Sequence, residues 1–253
     1  ISDEQRMLKL ALGGIMQGRI LTTLLILLFS LTATAETTEG CISSKDMKEI
    51  ADNFSQFKHF LNNSDEYCEG DFSQTWFDIA RSLDVLINID PNEPTLDQDD
   101  ALTFQAITDK DWWAYFTRRA NKFNLPQNCP QGVVAYVQPF FGAGTINLCQ
   151  FFFEFTVSEQ ASVMMHEVRH FDGHRHVTCT QGNEQGNSGA CDGRITSKGS
   201  YAISVQTLVG MARSTKIDAL EKPVLEAQAV YMAFNKFNTV PKVKLNNSIV
   251  LAN

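Results

Sequence analysis

Basic residues and long apolar runs are both scarce in this sequence. It has 21 lysines and arginines against 29 aspartates and glutamates, a net charge of −8 at neutral pH. A protein that binds nucleic acid needs a basic surface to contact the phosphates, so this balance argues against a nucleic-acid partner. The one long apolar run, Ile20–Leu31, has 12 residues, too few for a membrane-spanning helix. We therefore expect no stable membrane anchor in the mature protein.

This apolar run has the surroundings of a secretory signal peptide. Arg19 gives it a basic start, and Ala33-Thr34-Ala35 forms an A-x-A cleavage site after it. We predict that residues 1–35 are an upstream segment and signal peptide, removed by cleavage after Ala35. The mature protein is then secreted or periplasmic. Residues 1–35, the predicted leader, contain three basic and two acidic residues, so the mature protein has a net charge of −9.

The sequence has no C-x-x-C pair, the usual spacing of zinc-binding cysteines. All six cysteines follow the predicted leader. An even number of cysteines in an exported protein indicates disulfide bonds. We predict that sequence neighbours pair, as Cys41–Cys68, Cys129–Cys149 and Cys179–Cys191.

Histidine is rare and unevenly distributed. Four of the five histidines lie between His166 and His176. The fifth, His59, is isolated and is expected at the surface. The cluster begins with H-E-x-x-H, which places His166 and His170 four positions apart. On a helix these two imidazoles face one point and can share a Zn²⁺ ion, while Glu167 can act as general base toward an attacking water.

A catalytic zinc ion takes three protein ligands and keeps one position open. Gly173 can adopt the left-handed conformation that turns the chain after a helix. Such a turn would bring His176 onto the metal as the third ligand. Two alternatives remain open. His174 continues the i, i+4, i+8 face if the helix runs through Gly173, and Asp192 could serve because some zinc peptidases use a downstream aspartate.

The motif extends to H-E-x-x-H-x-x-G-x-x-H, which arises by chance far less often than the short form. This run resembles the signature of the metzincins, a family of zinc endopeptidases. Around it lie I-N-L-C-x-F-F at residues 146–152, then H-E-x-R-H, G-x-x-H-x-x-C, C-D and G-x-Y. That wider pattern is similar to uncharacterised secreted bacterial metallopeptidase-like proteins. The I-x-L-C element also resembles the deuterolysin-type aspzincins.

The resemblance implies a zinc metalloendopeptidase that hydrolyses peptide bonds in a protein or peptide substrate. In several zincins a tyrosine after the motif stabilises the oxyanion, and Tyr201 is the best candidate for that role. The alternative is a buried tyrosine with a structural hydrogen bond. Metzincins also carry a downstream Met-turn. Met211, the first methionine after the motif, is predicted to lie in a helix instead, which departs from the metzincin pattern.

We predict an α+β fold of zincin type, mostly helical, with a small antiparallel sheet beside the active-site helix. Residues 36–126 are predicted to form a helical N-terminal part, which could act as a pro-segment. Residues 127–253 are predicted to form the metallopeptidase-like catalytic part. In the first part, Asp109 or Asp111 should begin a helix that continues to about Phe123.

The sheet is predicted from Val133–Gln138 and Thr145–Cys149, which a glycine-rich turn separates. These segments should form an antiparallel hairpin that leads into the active-site helix. In zincins an edge strand next to that helix binds the substrate backbone. The resemblance implies such an edge here, at Thr145–Leu148.

The active-site helix is predicted to begin at Ser158, a suitable N-cap, and to end near Asp172. Arg169 and Asp172 are three positions apart and can form an ion pair. Asp172 could instead accept a hydrogen bond from one of the ligand imidazoles.

Two other functions fit the same residues. A zinc hydrolase could apply the same water chemistry to another amide bond, for example in a cell wall. A non-catalytic secreted binding or structural protein could keep the histidines for a structural metal, which usually has four protein ligands. A fourth ligand in addition to His176 would favour this last function. The sequence indicates no particular oligomeric state.

Overall fold

The computed structural model describes residues 40–89, 111–138 and 144–239. Beyond residue 239 it describes the backbone of two short strands, Val243–Leu245 and Ser248–Val250. The predicted signal peptide lies outside the described residues. Within them, no helix is both long enough and apolar enough to cross a membrane.

Cys41–Asn253 forms one compact unit. The described part is a mixture of helices and small sheets, so the α+β class is confirmed at this level. The division predicted after residue 126 stays a prediction.

The described part of the chain contains six α-helices. They are α1 (Ser44–Asn53), α2 (Gln74–Asn88), α3 (Trp112–Thr117), α4 (Val157–His170), α5 (Ser200–Arg213) and α6 (Lys222–Asn235). Helix α4 begins with a reciprocal cap, because the Thr156 hydroxyl accepts the N–H of Glu159 and the Glu159 carboxylate accepts the N–H of Thr156. The predicted N-cap at Ser158 is therefore wrong, since Ser158 lies buried in the first turn.

The strands are short and form three small sheets. Strands β1 (Ile42–Ser43) and β2 (Glu66–Tyr67) pair with each other. Strands β3 (Ala120–Asn124), β4 (Ala135–Val137) and β5 (Gly144–Leu148) form a sheet in the order β3-β5-β4. Strands β6 (Val243–Leu245) and β7 (Ser248–Val250) make a final antiparallel pair.

The three-stranded sheet is mixed, not purely antiparallel as predicted. Strand β4 runs antiparallel to β5, which confirms the predicted hairpin, and Tyr136 lies opposite Asn147. Strand β3 runs parallel to β5 on its other side. The central strand is therefore β5, so the edge predicted at Thr145–Leu148 is wrong and the exposed edge near α4 belongs to β4.

The helix predicted to begin at Asp109 or Asp111 does begin after the cap Asp111, but its predicted end near Phe123 is wrong, since α3 ends at Thr117 and β3 follows. Long-range contacts explain the extended backbone. The Phe123 side chain is buried in the core. The Gln56 side chain completes the hydrogen bonding of this strand, since it accepts the N–H of Phe123 and donates to its carbonyl, both at 2.8 Å. Such contacts override a local helical pattern.

Helix α5 lies between α4 and α6, and 12 of its 14 residues are buried. A helix that is buried on all sides has no solvent-facing stripe for its polar side chains. Such side chains need hydrogen-bond partners inside the protein, although neither polar atom of the buried Gln206 side chain has one among the described residues. Ser200 and Ser204 find theirs among the histidines of α4.

All three predicted disulfide bonds are present. Cys41–Cys68 joins the ends of β1 and β2. Cys129–Cys149 joins the loop before β4 to the end of β5, and Cys179–Cys191 closes a loop that follows α4. Three disulfides are compatible with an extracellular location, since such bonds persist in oxidising environments.

Candidate metal centre

Three imidazoles converge at the C-terminal end of α4. The ring centroids of His166 and His170 are 5.0 Å apart. Helix α4 ends at His170, and Gly173 has the predicted left-handed conformation, with a φ of +84°. The resulting turn places the His176 ring 4.9 Å from that of His166 and 4.7 Å from that of His170. One ligand nitrogen from each histidine lies within 4.8 Å of the other two.

Helix α5 fixes the first two imidazoles through their Nδ1 atoms. The Ser204 hydroxyl donates to the Ser200 carbonyl, so its oxygen can accept the proton of His166 Nδ1, 3.1 Å away. His170 Nδ1 lies 2.5 Å from the His174 carbonyl and 3.2 Å from the Ser200 hydroxyl. A carbonyl only accepts, so this Nδ1 must also carry the proton. The Nε2 atoms of both rings are therefore free to bind a metal.

The third imidazole is held by a carboxylate. His176 Nδ1 lies 3.0 Å from Oδ1 of Asp192, which is 4% exposed. His176 Nε2 faces the opposite way and lies 3.0 Å from His166 Nε2. Each of the three ligand candidates thus has its Nδ1 engaged by another group of the protein, an arrangement typical of metal-binding histidines.

The cluster fits a single metal ion. Nitrogens about 2.0–2.1 Å from a tetrahedral ion would lie about 3.3 Å from each other, close to the 3.0 Å between the Nε2 atoms of His166 and His176. Burial lowers the pKa of His166 well below its ordinary value and lowers the pKa of His170. Both rings therefore stay neutral, the form that binds metals. Among the described residues no fourth ligand joins this group.

Glu167 follows the first histidine and lines the same cleft. It is only 6% exposed, and this burial raises the pKa of its carboxyl to about 8. A cation held by the neighbouring histidines would favour the carboxylate and lower that pKa. Glu167 is therefore placed to exchange a proton near neutral pH, as general acid–base catalysis requires.

Tyr201 packs against two of the imidazoles. Its ring centroid is 4.6 Å from those of both His166 and His176. Burial is the main cause that raises the pKa of its hydroxyl, which stays protonated at neutral pH and can donate a hydrogen bond. No described residue forms a hydrogen bond with that hydroxyl. The structural hydrogen bond considered as an alternative role is thus not found in the described part of the chain.

The three histidines open into a cleft of about 1200 Å³. Residues 133–137, which include β4, are among its lining residues. Tyr201, Met232 and Lys236 also line it, and the lining residue Glu184 forms an ion pair of 3.0 Å with Lys236. The cleft therefore combines apolar walls with few charged groups, as binding sites usually do.

No model of a known protein family matches this chain, and no curated protein or solved structure matches it either. Any function must therefore be inferred from the side chains of the cleft.

The two residues considered as alternative third ligands, His174 and Asp192, make other contacts. His174 contributes its backbone carbonyl to His170, and the Asp192 carboxylate contacts the Nδ1 of His176 rather than the centre of the cluster. The predicted ion pair between Arg169 and Asp172 is present at 2.7 Å.

The predicted contact between Asp172 and an imidazole is wrong. Its carboxylate is occupied by three other donors: the Tyr115 hydroxyl at 2.5 Å, Arg119 Nε at 2.8 Å and Arg169 at 2.7 Å. The spacing along α4 predicts the Arg169 contact, but Tyr115 and Arg119 approach from α3 and the residues just after it, and no pattern near Asp172 in the sequence indicates these two.

Sequence analysis also missed Ser200 and Ser204. A signal was available, because serines four positions apart share one face of a helix. That helix is otherwise rich in apolar residues, and a buried polar pair on it needs a partner. Met211, by contrast, lies in helix α5 as predicted, and it is buried there.

Proposed function

We propose that this protein is an exported zinc-dependent metallopeptidase of zincin type. One observation carries the proposal. Three imidazoles each place a ligand nitrogen within 4.8 Å of the other two, and a buried glutamate lies beside the first of them in an open cleft. Three histidines and an open fourth position are the donor set of catalytic zinc, whereas structural zinc usually has four protein ligands.

His166, His170 and His176 would hold the zinc ion. When bound there, zinc supplies Lewis-acid chemistry: it polarises a carbonyl group and lowers the pKa of a water molecule. The chain's own part is to fix the three rings. Because each Nδ1 already has a partner, ligand binding requires little reorganisation.

Glu167 is the proposed general base. It takes the proton of the water that attacks the scissile carbonyl and later delivers this proton to the leaving amine. Tyr201 is the proposed donor to the carbonyl oxygen, on which negative charge develops in the transition state. Its free hydroxyl and its place beside two of the histidines support this role.

Strand β4 is the proposed docking site for the substrate backbone. It is an edge strand of its sheet, packs against α4 and lines the cleft. An extended peptide can add to such an edge through main-chain hydrogen bonds. This geometry favours a protein or peptide as the substrate.

The test compares Glu167→Gln with Glu159→Gln. Both replacements lie on α4, but Glu159 serves the helix cap, where glutamine is also suitable. We expect both variants to bind one zinc ion. Glu167→Gln should lose roughly 10²–10⁴-fold in kcat on a peptide library, and Glu159→Gln should stay close to wild type.

Two results would contradict the proposal: a wild-type protein that binds no zinc, or full turnover in Glu167→Gln. Hydrolysis of cell-wall fragments with no cleavage of any peptide would instead assign the same chemistry to another amide bond.

A further inference from the structure

Asp192 lies behind the third histidine, and its carboxylate has two hydrogen bonds. Oδ1 is 3.0 Å from His176 Nδ1, and Oδ2 accepts the backbone N–H of Tyr201 at 2.8 Å. The second contact places the carboxylate at the N-terminus of α5, where backbone N–H groups and the helix dipole favour an anion. Asp192 thus connects the third histidine to the helix that supports the other two.

The position of Asp192 is fixed by its backbone. Its N–H donates to the Lys236 carbonyl at 2.8 Å, and its carbonyl accepts the N–H of Asn238 at 3.0 Å. The preceding residue, Cys191, is bonded to Cys179, which lies three positions after His176. The aspartate therefore belongs to a segment that cannot easily shift away from the imidazole.

The space for the carboxylate depends on Gly199. A Cβ atom added there would lie 2.7 Å from the carboxyl carbon of Asp192 and closer still to one of its oxygens. Such contacts are far inside van der Waals distance, so any side chain at this position must displace the carboxylate. Gly193 offers a contrast, because an added Cβ atom would meet nothing within 4 Å.

We propose that Asp192 is the positioning residue of the metal centre, which holds His176 in the tautomer that leaves Nε2 free. An ionised carboxylate can only accept, so Nδ1 must donate and the lone pair remains on Nε2. The inference rests on the proposed metal site. His176 can bind the metal only while the Asp192 carboxylate occupies the space beside Gly199, which lacks a side chain.

Asp192→Asn tests the tautomer directly. A carboxamide has one acceptor oxygen, and if this oxygen keeps the N–H of Tyr201, the NH₂ group faces His176 Nδ1. The imidazole must then accept at Nδ1 and carry its proton on Nε2, where it blocks the metal. We expect ¹⁵N spectra of the metal-free protein to place the proton on Nδ1 in wild type and on Nε2 in the variant. Zinc affinity should fall about 10–100-fold.

Gly199→Ala perturbs the same contact without removing a polar group. It should weaken zinc binding in the same direction, whereas Gly193→Ala should bind zinc as wild type does. Asp52→Asn is the carboxylate control: it forms an exposed pair with Lys48 on α1, so its zinc affinity should not change.

An Asp192→Asn protein with wild-type zinc affinity and the proton still on Nδ1 would overturn the inference. Equal zinc affinities in Gly199→Ala and Gly193→Ala would contradict the role of the pocket. If the wild-type protein binds no zinc, the proposed function fails, but the spectra of the metal-free protein still decide the tautomer.

Discussion

The carboxylate of Asp172 joins the end of the ligand helix α4 to α3, and its removal should destabilise the protein strongly. It accepts hydrogen bonds from Tyr115, Arg119 and Arg169. The Arg169 side chain is only 8% exposed. In Asp172→Ala this guanidinium loses its counter-charge but stays buried, with the Lys198 carbonyl among its remaining partners.

The size of the effect follows from burial. Removing one partner of a buried ion pair costs about 3–5 kcal/mol. Here the side chains of Asp172 and Arg119 are 23% and 24% exposed, so water can replace part of the lost interaction. We therefore expect a loss of about 3 kcal/mol in the free energy of unfolding. For a unit of this size that corresponds to a decrease of roughly 6–12 °C in Tm.

Urea unfolding and calorimetry of the oxidised protein would measure this change. The control is Asp52→Ala, which breaks the exposed pair between Lys48 and Asp52 and should cost less than about 0.5 kcal/mol. A loss below about 1 kcal/mol in Asp172→Ala, similar to the control, would show that the burial argument is wrong.

Three further predictions concern other sites. Burial, with repulsion from Asp46, raises the pKa of Asp84 to about 6, so the folded state binds this proton more tightly than the unfolded state does. Stability should therefore fall as pH rises from about 4 to 6. Asp84→Asn should remove this pH dependence of the free energy of unfolding. Urea unfolding should show the variant to be about 1 kcal/mol more stable than wild type at pH 7 and no more stable than wild type at pH 4. Gly144→Ala would place its methyl group inside the Phe171 ring and should cost about 1–3 kcal/mol by the same measurement; an unchanged midpoint would mean that Phe171 moves freely. Tyr201→Phe should lower kcat about 10²–10³-fold with little change in KM, measured by steady-state kinetics. Equal kcat values for the variant and the wild type would show that Tyr201 has no part in the mechanism.

Much of the candidate site could be predicted because its signals are local. The spacing of His166 and His170 needs only the geometry of one helix, and the position of His176 needs only the left-handed turn at Gly173. The disulfide pairs also follow from proximity along the chain. These contacts depend little on the rest of the fold.

The parts that sequence analysis missed depend on distant segments. Strand β3 is extended because Gln56, more than 60 positions earlier, satisfies the backbone of Phe123. The edge strand was misassigned because β3 covers the other side of β5. Asp192 was predicted as a possible ligand, since its chemistry suits a metal, but only the tertiary structure places its carboxylate on the Nδ1 side of His176.

Along the sequence, the candidate metal ligands come before most of the residues that orient them. Every imidazole of the cluster, together with Glu167, lies within the eleven positions from His166 to His176. Of the groups that engage the Nδ1 atoms, only the His174 carbonyl belongs to this stretch; Asp192, Ser200 and Ser204 all come later. During synthesis the ribosome therefore releases a complete set of metal ligands before the residues that orient them. A fragment that ends before Asp192 would contain the whole motif but little of the framework that makes it a site.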